Sequence, residues 1–170
     1  FCLSRGLGDV YKRQAGGSVR LLPLDPSTGR LDLAQLPALL TSRTRLLGVC
    51  NPLNPLGQLL TADELRVLGE FAVAHDLWIL NDEIWSDIVF DGVPFVSLPT
   101  LSPAIAARTF TVHGFSKSFG LAGLRIGYVL APDALRFEHL MDASLARTTM
   151  TGAATVSQIG AAAACNEGEP

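Results

Sequence analysis

Residues Thr109 to Tyr128 read TFTVHGFSKSFGLAGLRIGY. A β-branched and aromatic run, Thr109–His113, halts at Gly114. Lys117 follows between Ser116 and Ser118, and further glycines stand at 120, 123 and 127. Arg125 sits in the apolar run that leaves the loop. The pattern predicts a strand, a glycine-rich loop carrying one lysine, and a second strand over Leu124–Ala131. A lysine held near a core is costly in a scaffold but useful as a carbonyl-reactive amine. Glycines admit close approach of a ligand to the backbone. The planar guanidinium of Arg125 suits a phosphate. The alternative for this stretch taken alone is a surface loop with a solvated lysine.

Outward from that stretch the same alternation recurs. Ser18–Asp25 reads as a strand, with Pro23 arguing for an edge or an end. Pro26–Gly29 is a turn, and Asp32 can cap a helix bearing Leu33, Leu36, Leu39 and Leu40 on one face. Thr44–Cys50 is a buried strand, and NPLNPLGQ (51–58) is a dense turn signal. Thr61 and Glu64 form a capping box, and Leu65, Leu68 and Ala72 mark the buried face of the helix that follows. Leu77–Leu80 is another strand, ending in Asn81, Asp82 and Glu83. Ser86–Phe90 is a short extended or helical piece. Ser102 and Pro103 open a short helix to Arg108, and Pro132 and Asp133 open a longer one to about Ala146. The alanine-rich run 148–166 reads as a small-residue packing helix rather than a membrane span.

Strands and helices alternating at these lengths predict an α/β fold with a mostly parallel sheet. Right-handed crossovers place the loops after successive parallel strands at one edge, where ligands bind. The NPLNPLG turn, Asp82 and Lys117 each follow a strand, so the fold predicts that they converge.

Composition sets the remaining bounds. The 170 residues correspond to one ordinary domain, 48% hydrophobic and only 17% charged, which implies surface covered by more protein. A net charge of −3 without a basic cluster argues against nucleic acid. The three cysteines and three histidines show no metal-ligand spacing, so no metal is expected. Residues 1–14 lack period and read as a non-native leader. Residues 15–170 read as one partial domain of something longer, cytoplasmic by default.

A pyridoxal phosphate site needs an amine, a carboxylate for the pyridine nitrogen, a donor for the phenolate oxygen and cations for the phosphate. Lys117, Asp82, Asn54 and Arg125 supply these in that order. The stretches NPLNPLG, NDEIW and SKSFGLAGLRIGY, in this order and spacing, resemble the fold type I pyridoxal-phosphate enzymes of aminotransferase class I/II. The resemblance runs from about Gly16 to Ala164. It implies a three-layer sandwich of the large-domain type, incomplete here. It also implies pyridoxal 5'-phosphate as cofactor, an amino acid as substrate and a homodimer when full length.

By that resemblance Lys117 is the catalytic Schiff-base lysine and proton-transfer base. Asp82 pairs with the pyridine nitrogen, and Asn54 donates to the phenolate oxygen. Arg125 and Ser116 contact the phosphate. Two positions depart from the pattern. Trp85 stands where a tyrosine or histidine is common, and its indole N–H can donate to the phenolate oxygen but cannot titrate. Gly114 stands where a hydroxyl is common. Arg147 is read as a helix-surface charge, not as the substrate-carboxylate arginine.

Two reactions share this core. SKSFGLAGLRIGY leans towards transamination, whereas HDLWILNDEIWSDIVFDG leans towards the C–S lyase branch typified by cystathionine β-lyase. A reading of another class is a non-catalytic, aminotransferase-like effector-sensing domain of a transcription regulator. The 170-residue piece by itself is expected to bind cofactor weakly and to turn nothing over.

Overall fold

The computed structural model describes residues 16–90, 92–150 and 152–168, the side chains of 149 and 150 excepted. The expected leader (1–14) therefore lies outside the described residues. Four strands form one sheet: β1 (Leu46–Cys50), β2 (Trp78–Asp82), β3 (Thr109–Gly114) and β4 (Gly127–Leu130), in spatial order β1-β2-β3-β4. The first two pairings are parallel and β3–β4 is antiparallel, so the sheet is mixed within an α/β fold.

Helix α1 (Leu36–Leu39) precedes β1; α2 (Ala62–Ala74), α3 (Pro103–Ala106) and α4 (Phe115–Ser118) lie between successive strands, and α5 (Ala134–Ala143) and α6 (Thr155–Glu167) follow the sheet. Helix α2 starts as its sequence dictates. The Thr61 hydroxyl accepts from the Glu64 N–H at 3.2 Å, and Glu64 Oε2 accepts from the Thr61 N–H at 2.7 Å. Two orphan amide donors of the first turn are thereby satisfied. Leu65, Leu68 and Ala72, spaced three and four apart, are buried and pack with Leu47, Val49, Ile79, Leu98 and Ile105 in the main core. Burying each leucine contributes about 1.5–3 kcal/mol. Gly69 on the same face matters because a Cβ there would lie 2.5 Å from Ile105 Cδ1.

Five local expectations are corrected. Ser18–Asp25 forms no strand: Leu24 makes only an isolated bridge to Leu31 around the turn at 26–29. Pro23 lacks the N–H that a ladder needs. The helix expected after Asp32 is a single 3-10 turn, Leu33–Gln35, running into one α turn, and Asp32 makes no side-chain cap. Pro37 at the start of that α turn is compatible with it. Lys117 stands on the helical turn α4 rather than in a coil loop. The last strand is shorter than expected, because Ala122–Leu124 forms a 3-10 turn and Arg125 takes a left-handed conformation before β4 begins. Helix α5 also stops at Ala143, with a π-helical turn, Ala146–Met150, beyond it.

A smaller core of Phe115, Ala161 and Ala164, with Phe119, Leu121 and Ile126 against it, joins the lysine turn to α6. Strand β4 is exposed along its length, as are Leu135, Phe137 and Leu140 of α5. This is the apolar surface that the composition foretold. Among the described residues, no helix is long and apolar enough to cross a membrane.

Candidate active site

The carboxyl ends of β1, β2 and β3 meet at one sheet edge. The Asn51 N–H, one residue past β1, donates to the Asp82 carbonyl at 3.0 Å, and the Glu83 N–H donates to the Val112 carbonyl at 3.0 Å. The segment after β1 is fixed from within. Buried Asn51 accepts from the Leu60 N–H at 2.9 Å, and Leu53 and Gln58 form a bridge that folds NPLNPLG back on itself. Asn54 is carried outward at its tip, exposed. Together with Trp85, it lines a cavity of about 460 Å³ whose other walls are apolar, among them Pro52, Leu59, Ile88 and Val93.

Asp82 ends β2. Its Oδ1 accepts from the Ile84 N–H at 3.1 Å, which turns the chain sharply, and Oδ2 has no partner among the described residues. The turn is held from behind by Glu83, which is 5% exposed. Its carboxylate accepts from Asn81 Nδ2 at 2.7 Å, from Ser97 Oγ at 2.7 and 2.9 Å and from the Leu98 N–H at 3.3 Å. Burial of a carboxylate is tolerated only with such a full set of donors. The paired acids of NDE were the signal for this in the sequence, although no role for Glu83 was expected from them.

Lys117 projects from α4 with Nζ 4.7 Å from the centroid of the Trp85 ring. Amine and indole therefore meet, three residues beyond Asp82. Arg125 closes the 3-10 turn Ala122–Leu124 that follows α4. It adopts φ 50° and ψ 43°, a left-handed conformation that costs a non-glycine residue on the order of 1 kcal/mol. Its side chain is exposed and without an ion-pair partner among the described residues. An exposed, unpaired guanidinium of this kind can bind an anion. The Ser116 hydroxyl is half-buried and makes no hydrogen bond among the described residues. Arg147 lies apart, paired with Glu138 at 2.6 Å and Asp142 at 3.4 Å, as a helix-surface charge should.

A second network, not expected from the sequence, lies beside α4. His113 Nδ1 accepts from the Gly114 N–H at 2.9 Å, which leaves the proton of the neutral ring on Nε2. Nε2 lies 2.7 Å from Ser86 Oγ and 3.9 Å from Asp87 Oδ2. Ser118 Oγ donates to the same Asp87 oxygen at 2.5 Å. The Tyr128 ring stacks on His113, centroids 5.2 Å apart. Burial pushes the Tyr128 phenol above its ordinary value, and the nearby Asp87 charge adds to the shift. No spacing rule would have joined residues 86, 87, 113 and 118; the parallel register of β2 and β3 does so.

The family model for Aminotransferase class I and II matches residues 9–169. The chain belongs to this aminotransferase family. It is 39% identical over 120 residues to Aromatic-amino-acid aminotransferase 2 of Thermococcus litoralis, covering 70% of this chain and 31% of that protein. It is 39% identical over 121 residues to an arginine–pyruvate transaminase of Pseudomonas aeruginosa, covering 71% and 30%. Among solved structures it superposes on a PLP-bound protein of Clostridium difficile 630, assigned as an aminotransferase, with a TM-score of 0.87 at 27% identity, covering 95% of this chain and 42% of that one. It superposes on a Thermus thermophilus aspartate aminotransferase double mutant with a TM-score of 0.79 at 32% identity, covering 91% and 41%. This aminotransferase chain thus spans about a third of the length of the curated relatives it matches.

The residues present fit pyridoxal phosphate by their donor chemistry. A primary amine, a carboxylate with an unpartnered oxygen, an outward amide and an unpaired guanidinium stand at or beside one sheet edge. Apart from the Ile84 N–H bond to Asp82 Oδ1 and the Trp85 ring beneath Lys117, no side-chain hydrogen bond or ion pair engages these four groups among the described residues.

Proposed function

We propose that the protein to which these residues belong is a pyridoxal-phosphate-dependent aminotransferase acting on an amino acid, with Lys117 as its catalytic amine. The observation that carries the reading is the placement of Lys117 Nζ over Trp85, on the very turn that Asp82 Oδ1 initiates. When bound, the cofactor supplies an aldehyde that accepts an amino group and a ring that stores the electron pair leaving the substrate Cα. Lys117 would hold the cofactor and, once released, would take the proton from the substrate Cα and deliver it to the carbon of the cofactor's former aldehyde, which moves the amino group to the cofactor. Asp82 keeps a proton on the ring nitrogen. The Asn54 amide, with the Trp85 indole N–H beside it, donates to the ring oxygen. Arg125 and Ser116 bind the phosphate.

The aminotransferase names of the relatives support transamination over C–S lysis. Residues 15–170 are read as part of the cofactor-binding large domain, preceded by a leader at 1–14. A cytoplasmic homodimer of the full-length chain completes the proposal, supported by the family and by the exposed apolar surface of β4 and α5.

The test is reconstitution with pyridoxal phosphate, reduction with borohydride and mapping of the modified residue by mass spectrometry. Label on Lys117, lost in Lys117→Ala, is expected. Label on another lysine of the folded full-length protein overturns the assignment, and no label at all argues for the sensor reading.

A further inference from the structure

Two contacts tie the lysine turn to the segment that follows Asp82, and they are independent of each other. One is the Trp85 indole beneath the Lys117 ammonium, 4.7 Å from centroid to nitrogen. The other is the hydrogen bond from Ser118 Oγ to Asp87 Oδ2. Asp87 is itself steadied, since its Oδ1 accepts from Ser86 Oγ at 3.4 Å and His113 Nε2 stands 3.9 Å from Oδ2. His113 in turn is locked by the Gly114 N–H and by Tyr128. On the far side Phe115 anchors α4 in the small core, while Lys117 itself is exposed. A one-turn helix of four residues has little stability of its own, so its orientation is set by such outside contacts.

We propose that Trp85 and Asp87 form a clasp that positions Lys117. The indole face carries the ε-ammonium, and the Asp87 carboxylate holds the next residue, Ser118, so that the amine points back over the turn begun by Asp82. This rests on the reading of Lys117 as the cofactor-binding amine. Trp85 thereby acts through its π-face as well as its N–H, and Asp87 and Ser118 act through Lys117 without touching cofactor. A cation over an aromatic face is stabilised in a way that an aliphatic side chain of equal bulk cannot reproduce.

The experiment uses the full-length protein and has two readouts. The first is the rate of pyridoxal phosphate capture, followed by the absorbance of the bound cofactor after mixing. Trp85→Leu and Asp87→Ala are each expected to slow capture roughly tenfold, and Trp85→Phe, which keeps a ring face but loses the N–H, to fall between Trp85→Leu and the parent. The double change Asp87→Ala with Ser118→Ala is expected to be no slower than Asp87→Ala alone, because the two residues share one hydrogen bond. Equal rates for Trp85→Leu and Trp85→Phe, or additive losses at 87 and 118, overturn the clasp. The second readout needs no cofactor: the emission of Trp85, taken as the difference between parent and Trp85→Phe protein. It is expected to change in Lys117→Ala and to persist in Lys117→Arg, and an unchanged emission in Lys117→Ala overturns the clasp. A protein that takes up no cofactor yet shows this emission response keeps the clasp and loses the functional reading.

Discussion

Gly127 faces Gly114 directly across the antiparallel pair β3–β4, and a Cβ on Gly127 would sit 2.8 Å from the His113 carbonyl oxygen. The two strands can close at this point because Gly127 has no side chain, whereas a Cβ on Gly114 would meet nothing nearer than 3.4 Å. The closure sets the distance between α4, which starts one residue past Gly114, and Arg125, two residues before Gly127. Gly127→Ala must therefore push β4 away from β3. The expected cost is about 1–3 kcal/mol, read as a lower urea midpoint. Gly123 is the control, with nothing within 4 Å of its would-be Cβ. Gly123→Ala is expected to stay within about 0.5 kcal/mol of the parent. Equal midpoints for the two variants would refute the close-approach argument.

Arg30 and Glu64 give a prediction in pH. Arg30 Nε donates to Glu64 Oε1 at 2.7 Å, Nη2 donates to Oε2, and Nη2 also reaches the Leu59 carbonyl at 3.1 Å. The Arg30 bond, with help from Thr61, holds the Glu64 carboxyl below its ordinary value of 4.5. A group depressed on folding contributes stability above its unfolded value and loses it as pH falls through the folded one. Glu64→Gln is therefore expected to be less stable at neutral pH by about 1–2 kcal/mol, since a charge-assisted pair and half of a capping box are weakened. The gap should narrow as pH drops below 4.5. A gap that is constant from neutral to acid pH would show that the pair contributes nothing through its charge.

Much of this was legible in the sequence, and the failures have physical causes. Helix α2 was readable because its capping box and its leucine spacing are local and agree with each other. The three buried strands were readable because apolar runs of that length between turn signals leave few alternatives. Convergence of Asn54, Asp82 and Lys117 at one edge followed from strand order alone. The strand expected at 18–25 failed because β-propensity near an edge depends on a partner that the string does not reveal. Helix α4 was missed because one turn is too short to show a period. The Glu83–Ser97 and Asp87–Ser118 contacts were illegible for a different reason: they join residues 14 and 31 positions apart.

Arg125 sets stability against function. Its φ of 50° is one that glycine adopts without cost. Arg125→Gly relieves that strain and is expected to leave the melting temperature at or above that of the parent. It removes the cation, so the dissociation constant for pyridoxal phosphate is expected to rise at least about tenfold, the loss of one charge-assisted contact. Arg125→Lys keeps charge without the planar fork and should fall between the two. Titration of the cofactor-free full-length variants checks this. Unchanged affinity in Arg125→Gly would remove Arg125 from the phosphate site.

Asp82 allows the electronic role of a carboxylate to be separated from its structural one. Its Oδ1 caps the Ile84 N–H, and the Oδ1 of an asparagine can make the same bond. Asp82→Asn should thus preserve the turn, the buried Glu83 network behind it and the fold, measured by an unchanged melting temperature. It cannot hold a proton on the cofactor's ring nitrogen, because the negative charge is gone. The expected result in the full-length enzyme is a fall in kcat on the order of 10²–10³ with little change in KM, together with a changed absorbance of the bound cofactor. Asp82→Ala loses the cap as well and should be both inactive and less stable. If Asp82→Asn retains full kcat, the carboxylate is only the cap of a turn, and the electron-sink argument for this site fails with it.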